Sequence, residues 1–174
     1  MKRCIRTACG AALCATLYAV LARFAVITCG AGHIRLQFVL LGVAAALLGP
    51  GTGLLLGLAG SILADVIAPG GIGWSQALGA AAAGAVVGYM AANMGLKQAS
   101  TWKKLLGFAV CNAAAHAFAW LVITPVLDVL AYGAATNVAF VQGAQAVMEN
   151  MLTAVTLGTL LYAGWIRLMK DNGR

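Results

Sequence analysis

Six apolar segments, separated by short groups of glycine, proline or charged residues, run along this chain. They cover approximately residues 7–27, 36–48, 52–68, 74–94, 105–123 and 140–168. A helix needs about 20 apolar residues to span the hydrocarbon core of a bilayer, and most of the segments approach that length. The segment 36–48 is short, so we expect it to be tilted or shielded by its neighbours. The pattern predicts six transmembrane helices.

Glycine and proline mark the predicted ends of these segments. Gly-Pro-Gly at 49–51 follows the second segment, Pro-Gly-Gly at 69–71 follows the third, and Thr-Pro at 124–125 is expected to break the fifth. Proline fixes φ and glycine supplies positive φ, so such groups favour turns. The clearly polar linker of the sequence lies at 97–104.

The composition excludes a soluble globular fold. Hydrophobic residues make up 63% of the 174 residues and charged residues 9%, whereas a soluble domain carries roughly 25% charged residues. The mean hydropathy is +0.95. Six spans would use about 120 residues, which leaves no room for a catalytic or nucleic-acid-binding domain. We therefore predict an all-α integral membrane protein whose single domain covers residues 1–174.

The distribution of positive charge predicts the orientation. The formal net charge is +7, and with the N-terminus inside and six crossings, nine of the eleven Lys and Arg residues fall on the cytoplasmic side. These nine are Lys2, Arg3, Arg6, Lys97, Lys103, Lys104, Arg167, Lys170 and Arg174. The positive-inside rule then places both termini in the cytoplasm. A multi-pass protein of a prokaryotic plasma membrane is the expected localisation.

The N-terminal region and the cysteines add little chemistry. Met1-Lys2-Arg3 before an apolar run resembles a signal peptide, but the run is longer than a typical h-region, so we interpret it as the first permanent span. The five cysteines include no C-x-x-C spacing, and their odd number argues against a disulfide framework. We expect reduced thiols and no metal site.

Small residues form a stripe on the first predicted helix. Ala11, Ala15 and Ala19 are four residues apart, and Ala8 and Ala12 form a second line. Such spacing lets another helix approach closely in lipid. Taken alone, the stripe favours packing against a neighbouring helix of the same chain.

Polar residues inside the predicted spans mark candidate binding positions, because ionisable groups are costly in a membrane. By the predicted topology, most of them fall in the outer half and would converge on an external pocket. The candidates are His33, Arg35, Gln37, Asp65, Trp74, His116, Asp128, Tyr132 and Gln142. Asp65 could instead pair with Arg35 as a structural ion pair, and both interpretations stay open.

Glu149 and Asn150 lie nearer the middle of the membrane on the sixth predicted helix. A helix–helix hydrogen-bonded pair is favoured over a ligand contact there.

Motifs for catalysis are absent from the sequence. Ser61 lacks a surrounding G-x-S-x-G, no H-E-x-x-H occurs, and two isolated histidines cannot close a zinc site alone. No phosphate-binding loop occurs either, so uphill transport would need a partner or an ion gradient. We expect no enzyme, no catalytic residues and no intrinsic cofactor.

Several sequence blocks together resemble the S components, the substrate-binding membrane subunits, of energy-coupling factor (ECF) importers. The resemblance covers nearly the whole chain. Its blocks are the Ala11, Ala15 and Ala19 stripe, His33–Phe38, Leu47–Gly53, Gly57–Asp65, Trp120–Pro125, Leu127–Tyr132 and Gln142-Gly143. Two departures fall at pocket positions, namely the block at 33–37 and His116 in place of an amide.

The resemblance implies a six-helix protein that captures a micronutrient from outside. It also implies partners: a transmembrane scaffold subunit that carries two ATPase subunits, as in an ABC transporter. ATP hydrolysis by these partners would topple the S component and release its cargo. The stripe Ala11, Ala15 and Ala19 then becomes the docking face for the scaffold, and Ala15→Trp should abolish uptake without affecting ligand binding.

The ligand stays open between a vitamin and haem. The sequence lacks the clustered aromatics expected for stacking a flat vitamin ring, while histidines and methionines are axial ligands of haem iron. His33 is the preferred iron ligand in the haem hypothesis, against the alternative of a polar loop residue. Two other function classes also remain: a secondary ion-coupled carrier, and a structural membrane subunit without a ligand.

Overall fold

A computed structural model describes the backbone of residues 2–29, 32–68, 70–96 and 101–172, and the side chains of 12–26, 34–68, 70–96 and 101–170. The elements are helix α1 (Lys2–Phe24), strands β1 (Val26–Cys29) and β2 (Gly32–Arg35), helices α2 (Gln37–Leu48), α3 (Pro50–Val66), α4 (Trp74–Asn93) and α5 (Thr101–Phe118), a π-helical segment (Ala119–Ile123), and helices α6 (Thr124–Tyr132) and α7 (Thr136–Asn172). The expected all-α architecture is confirmed, apart from one short hairpin.

Three helical stretches are long and apolar enough to cross a membrane: Trp74–Asn93, Thr101–Tyr132 and Thr136–Lys170. Three shorter apolar helices accompany them: Ala12–Phe24, Gln37–Leu48 and Pro50–Val66. This content supports a helical membrane protein. Six crossings with both termini in the cytoplasm remain a prediction.

A β-hairpin follows the first helix, where the sequence pattern predicted continued helix to residue 27. Helix α1 ends at Phe24, and β1 pairs antiparallel with β2 so that Val26 lies opposite Arg35. The β-branched run at 26–28 favours strand, and glycine in the connecting residues favours a turn. The hairpin brings Arg35 back beside the end of α1.

The fifth segment is not broken at Thr124-Pro125, contrary to the sequence prediction. Helix continues from Thr101 to Tyr132 through the π-helical segment, in which the Thr124 N–H donates to the Ala119 carbonyl. Pro125 has no N–H and would clash with the carbonyl of residue 121 in a regular α-helix. The wider π turn absorbs this conflict and keeps the helix continuous. Helix α7 correspondingly begins at Thr136, earlier than expected.

Glycines bring α3 and α4 into close contact. A Cβ on Gly53 would collide with the Gly84 carbonyl, and one on Gly57 would collide with the Ala80 carbonyl. Without side chains at these positions the two backbones touch, and dispersion contacts take the place of a hydrophobic driving force in lipid. Helix α4 is thus packed tightly against α3.

Helix α1 packs on α3 through Tyr18, whose ring lies where a Cβ on Gly60 would be. Ala15 and Ala19 are 8% and 2% exposed, and Ala15 belongs to the same core cluster as Tyr18. These two members of the alanine stripe therefore face the interior of the chain. The side chain of Ala11 lies outside the described part.

Candidate functional site

One end of the bundle contains a cavity of about 330 Å³. The end of α1, the start of α2, the end of α3 and the start of α4 surround it, together with Trp120 from the π-helical segment. Its polar and aromatic lining consists of Tyr18, Arg23, Arg35, Gln37, Phe38, Ser61, Asp65, Gln76 and Trp120. This volume lies within the range of small-molecule sites.

Aromatic rings form the floor of the cavity, with Phe38 at their centre. The Phe38 ring meets the rings of Tyr18, His116 and Trp120 edge to face, with centroid distances of 6.3, 5.3 and 5.6 Å. Phe38 is 1% exposed. Edge-to-face pairs are the favoured aromatic geometry, so this cluster gives the cavity a rigid apolar base.

Two buried polar atoms at the cavity lack a protein partner. Gln37 Oε1 and Trp120 Nε1 form no hydrogen bond, although both residues are almost fully buried. A buried polar atom without a partner costs about 1–3 kcal/mol. A bound molecule that donates to Gln37 and accepts from Trp120 would recover that cost.

A hydrogen bond between Tyr18 of α1 and Ser61 of α3 connects these two helices at the cavity. The Tyr18 hydroxyl lies 3.3 Å from Ser61 Oγ. This hydrogen bond holds two lining side chains together above the close contact of Tyr18 with Gly60.

The charges at the cavity come from Arg23, Arg35 and Asp65. Asp65 Oδ2 accepts a hydrogen bond from the Gly73 backbone N–H at 2.9 Å, which ties the end of α3 to the start of α4. The side chains of Arg35 and Asp65 are both described, and they form no ion pair with each other. Two guanidinium groups and one carboxylate give the cavity a net positive charge, which favours an acidic or electron-rich ligand.

Of the sequence-predicted site residues, Arg35, Gln37 and Asp65 line this cavity together. His33 lies on β2 with its backbone opposite Thr28, and its side chain is outside the described part. His116 lies behind Phe38, fully buried, with Nδ1 2.9 Å from the Asn112 carbonyl oxygen and no partner at Nε2.

The remaining predicted residues lie away from the cavity lining. The Trp74 N–H donates to the Tyr132 hydroxyl at 3.2 Å, so these two residues connect the start of α4 to the end of α6. The Asp128 carbonyl accepts from the Ala134 N–H where α6 ends. Gln142 is exposed on α7. Their binding roles stay predictions.

The sequence did not single out Tyr18, Arg23, Ser61 or Gln76 for the site. Arg23 and Gln76 carried a usable signal, because each is a polar residue near the outer end of a predicted helix. Tyr18 gave none, since an aromatic residue within an apolar run has the same pattern whether it packs in a core or lines a cavity. Only the packing of α1 on α3 reveals its position.

The buried polar residues of α5 and α7 lie deeper in the bundle. Asn150 is 2% exposed with no partner at Oδ1, and the Glu149 carbonyl accepts from Thr153 Oγ1 at 2.8 Å. Asn112 packs against Gly42 of α2, where a Cβ would collide with its amide. Among the residues searched, no group of three His, Cys, Asp or Glu side chains is arranged to hold a metal ion.

Comparison with known proteins gives a consistent match. The family model described as "ECF-type riboflavin transporter, S component" matches residues 2–167. A UPF0397 protein of Exiguobacterium sp. is 35% identical over 175 residues, covering 99% of this chain and 93% of that protein. UPF0397 proteins of Lactobacillus johnsonii and Lactobacillus gasseri are 32% and 33% identical over 162 residues, each covering 91% of this chain and 88% of the relative.

Proposed function

This chain belongs to the S-component family of ECF-type transporters, and we propose that it captures a micronutrient in the cavity beneath the β-hairpin for ATP-driven uptake. The family consists of transport subunits, not enzymes. A scaffold subunit and two ATPase subunits of ABC type supply the energy in this proposal. The cavity opens to the outer side, as the positive-inside rule predicts for that end of the bundle.

The observation that carries this proposal is the pair of unpartnered atoms on the aromatic floor. Gln37 Oε1 offers an acceptor and Trp120 Nε1 a donor, and the Trp120 ring packs edge to face with Phe38, which also lines the cavity. A flat ring with hydrogen-bonding edges satisfies both atoms while its faces contact apolar side chains. Buried polar atoms that require a partner discriminate strongly against ligands that lack one.

Riboflavin is the first ligand to test, because the matching family model is described by it and its ring system has this shape. The purified chain should quench riboflavin fluorescence with saturation at one equivalent. Gln37→Leu should weaken binding, since it keeps the volume of the side chain and removes the acceptor. Gln145→Leu, at an exposed position on α7 that does not line the cavity, is the matched control. Saturable binding of no micronutrient in a vitamin panel would contradict the proposal.

Haem is the second candidate ligand. His33 is the proposed iron ligand from sequence, and its position on β2 places it on the hairpin that brings Arg35 to the cavity. A porphyrin is larger than the riboflavin ring system, so this ligand requires the cavity to widen. A shifted Soret band that His33→Ala abolishes would support haem, and an unshifted band would exclude it.

Energy coupling separates an S component from an ion-coupled carrier. Uptake into vesicles should require the scaffold and ATP, and the chain alone should bind without accumulating ligand. Accumulation in vesicles without the scaffold, abolished by Asp65→Asn, would instead favour the carrier. A structural subunit would be favoured if the chain bound no ligand and if its removal from the vesicles left uptake unchanged.

A further inference from the structure

A second cavity of about 450 Å³ lies at the opposite end of the bundle. The end of α2, the start of α5 and the end of α7 surround it. It shares no lining residue with the cavity described above. The proposed function assigns it no role.

The polar half of this cavity is cationic. Lys104 from α5 and Lys170 from α7 both line it, and none of its lining residues is acidic. Two lysines from different helices that line one cavity create a positive potential within it. The ligand that fits this charge is an anion.

Aromatic side chains place the cavity at the level of a membrane surface. Trp165 lines it and is 45% exposed, and Trp102, which precedes Lys104 by two residues on α5 and does not line the cavity, is 62% exposed. Tryptophan and tyrosine concentrate where the hydrocarbon core meets the headgroups. Tyr162 also lines the cavity, and its ring stacks on Phe108 at 4.6 Å, so this wall is fixed.

The other half of the cavity is apolar and continues onto the outer surface. Leu47 and Met169 line it, and Met169 is 57% exposed. Leu48, next to Leu47 at the end of α2, is 62% exposed. A small hydrophilic anion would leave this apolar wall uncovered, whereas an acyl chain would cover it.

We propose that this cavity binds the headgroup of an anionic phospholipid, with the phosphodiester between Lys104 and Lys170 and an acyl chain along Leu47 and Met169. Basic pockets between transmembrane helices are known to hold anionic headgroups. The site therefore anchors the basic end of the bundle in a leaflet that contains such lipids. It lies between the start of α5 and the end of α7.

Native mass spectrometry of the purified full chain tests this assignment. The protein is exchanged into detergent with phosphatidylglycerol or with phosphatidylcholine, and the retained lipid is counted. Wild-type chain should retain one phosphatidylglycerol and release phosphatidylcholine. Because each lysine near an anionic surface contributes about 1 kcal/mol, Lys104→Gln with Lys170→Gln should weaken retention about 30-fold.

A charge-matched control separates a built site from diffuse attraction. Lys103→Gln with Arg167→Gln removes the same charge from exposed positions that do not line the cavity, so retention should stay within about twofold of wild type. Equal loss in both double variants would overturn the proposal. Displacement of phosphatidylglycerol by millimolar inorganic phosphate would overturn it in favour of a small-anion site. An unchanged thermal midpoint without lipid shows that each variant is folded.

Discussion

The Asp65 carboxylate accepts a hydrogen bond from the Gly73 backbone N–H at 2.9 Å, across the loop that joins α3 to α4. This contact gives Asp65 a structural role that is separable from its charge. The sequence left two interpretations of Asp65 open, a pocket residue or a structural ion pair with Arg35. In the structure the two side chains form no ion pair, and both line one cavity.

Asp65→Asn and Asp65→Ala separate the two roles of this residue. Asparagine keeps an acceptor for Gly73 and removes the charge, so we expect the free energy of unfolding to fall by less than about 1 kcal/mol. Alanine removes both and should cost about 1–2 kcal/mol. Thermal unfolding of the two purified variants checks this. Equal losses would show that charge, not the hydrogen bond, stabilises the loop.

Trp120→Phe tests the unpartnered donor at the cavity. Phenylalanine keeps the edge-to-face packing on Phe38 and removes the Nε1–H that lacks a partner. We expect riboflavin affinity to fall about tenfold, as for the loss of one hydrogen bond, with stability unchanged. Trp102→Phe at the basic end is the control and should leave affinity unchanged. If Trp120→Phe and Trp102→Phe bound riboflavin with equal affinity, Trp120 would not contact the ligand.

The exposed face of α1 gives a different docking prediction from the sequence. Ala15 lies in the core, so Ala15→Trp should disturb ligand binding as well as uptake, instead of uptake alone. Ala12 and Thr16 are exposed and four residues apart, with Leu13 71% exposed beside them. Thr16→Trp should abolish uptake by the assembled transporter and leave binding by the isolated chain intact.

Uptake and ligand affinity of the Ala15→Trp and Thr16→Trp variants, measured side by side, decide whether the alanine stripe or the exposed face of α1 docks the scaffold. Thr156→Trp, at another exposed threonine on α7, is the matched control. Normal uptake by Thr16→Trp would exclude this face of α1 from docking.

The contact between α3 and α4 predicts unequal costs for two alanine substitutions on one helix. Gly53→Ala drives a methyl group into the Gly84 carbonyl and should destabilise the fold by about 1–3 kcal/mol. Gly51→Ala meets no atom within 4 Å and should be neutral or stabilise the helix by up to about 1 kcal/mol. Thermal unfolding in the same detergent compares them, and equal midpoints would contradict the close contact.

The orientation predicted from charge can be tested by labelling single cysteines in a cysteine-free background. Ala135→Cys lies in the exposed connection between α6 and α7, and Lys103→Cys lies exposed at the basic end. We expect an impermeant maleimide to label position 135 in intact cells and position 103 only after permeabilisation. The reverse pattern would open the ligand cavity to the cytoplasm and contradict import from outside.

The sequence by itself determined the membrane class, the helical architecture and the family. The membrane class and the helical architecture follow from the local composition of each segment, since an apolar run long enough to span a bilayer satisfies its backbone internally only as a helix. The family follows instead from the resemblance of particular sequence blocks spread along the chain. The sequence also predicted that Arg35, Gln37 and Asp65 lie at one end of the bundle, because each is a polar residue near the end of a predicted helix.

The tertiary structure decided the details that depend on competition between neighbouring segments. Helix α1 ends at Phe24 because the following residues pair with β2, and the helix continues through Pro125 because the wider π turn avoids the clash of its ring. The direction of a side chain around its helix is likewise set by which helix packs against it. Tyr18 and Trp120 reach the cavity, and Ala15 turns inward, only because α2 and α3 pack where their glycines allow it.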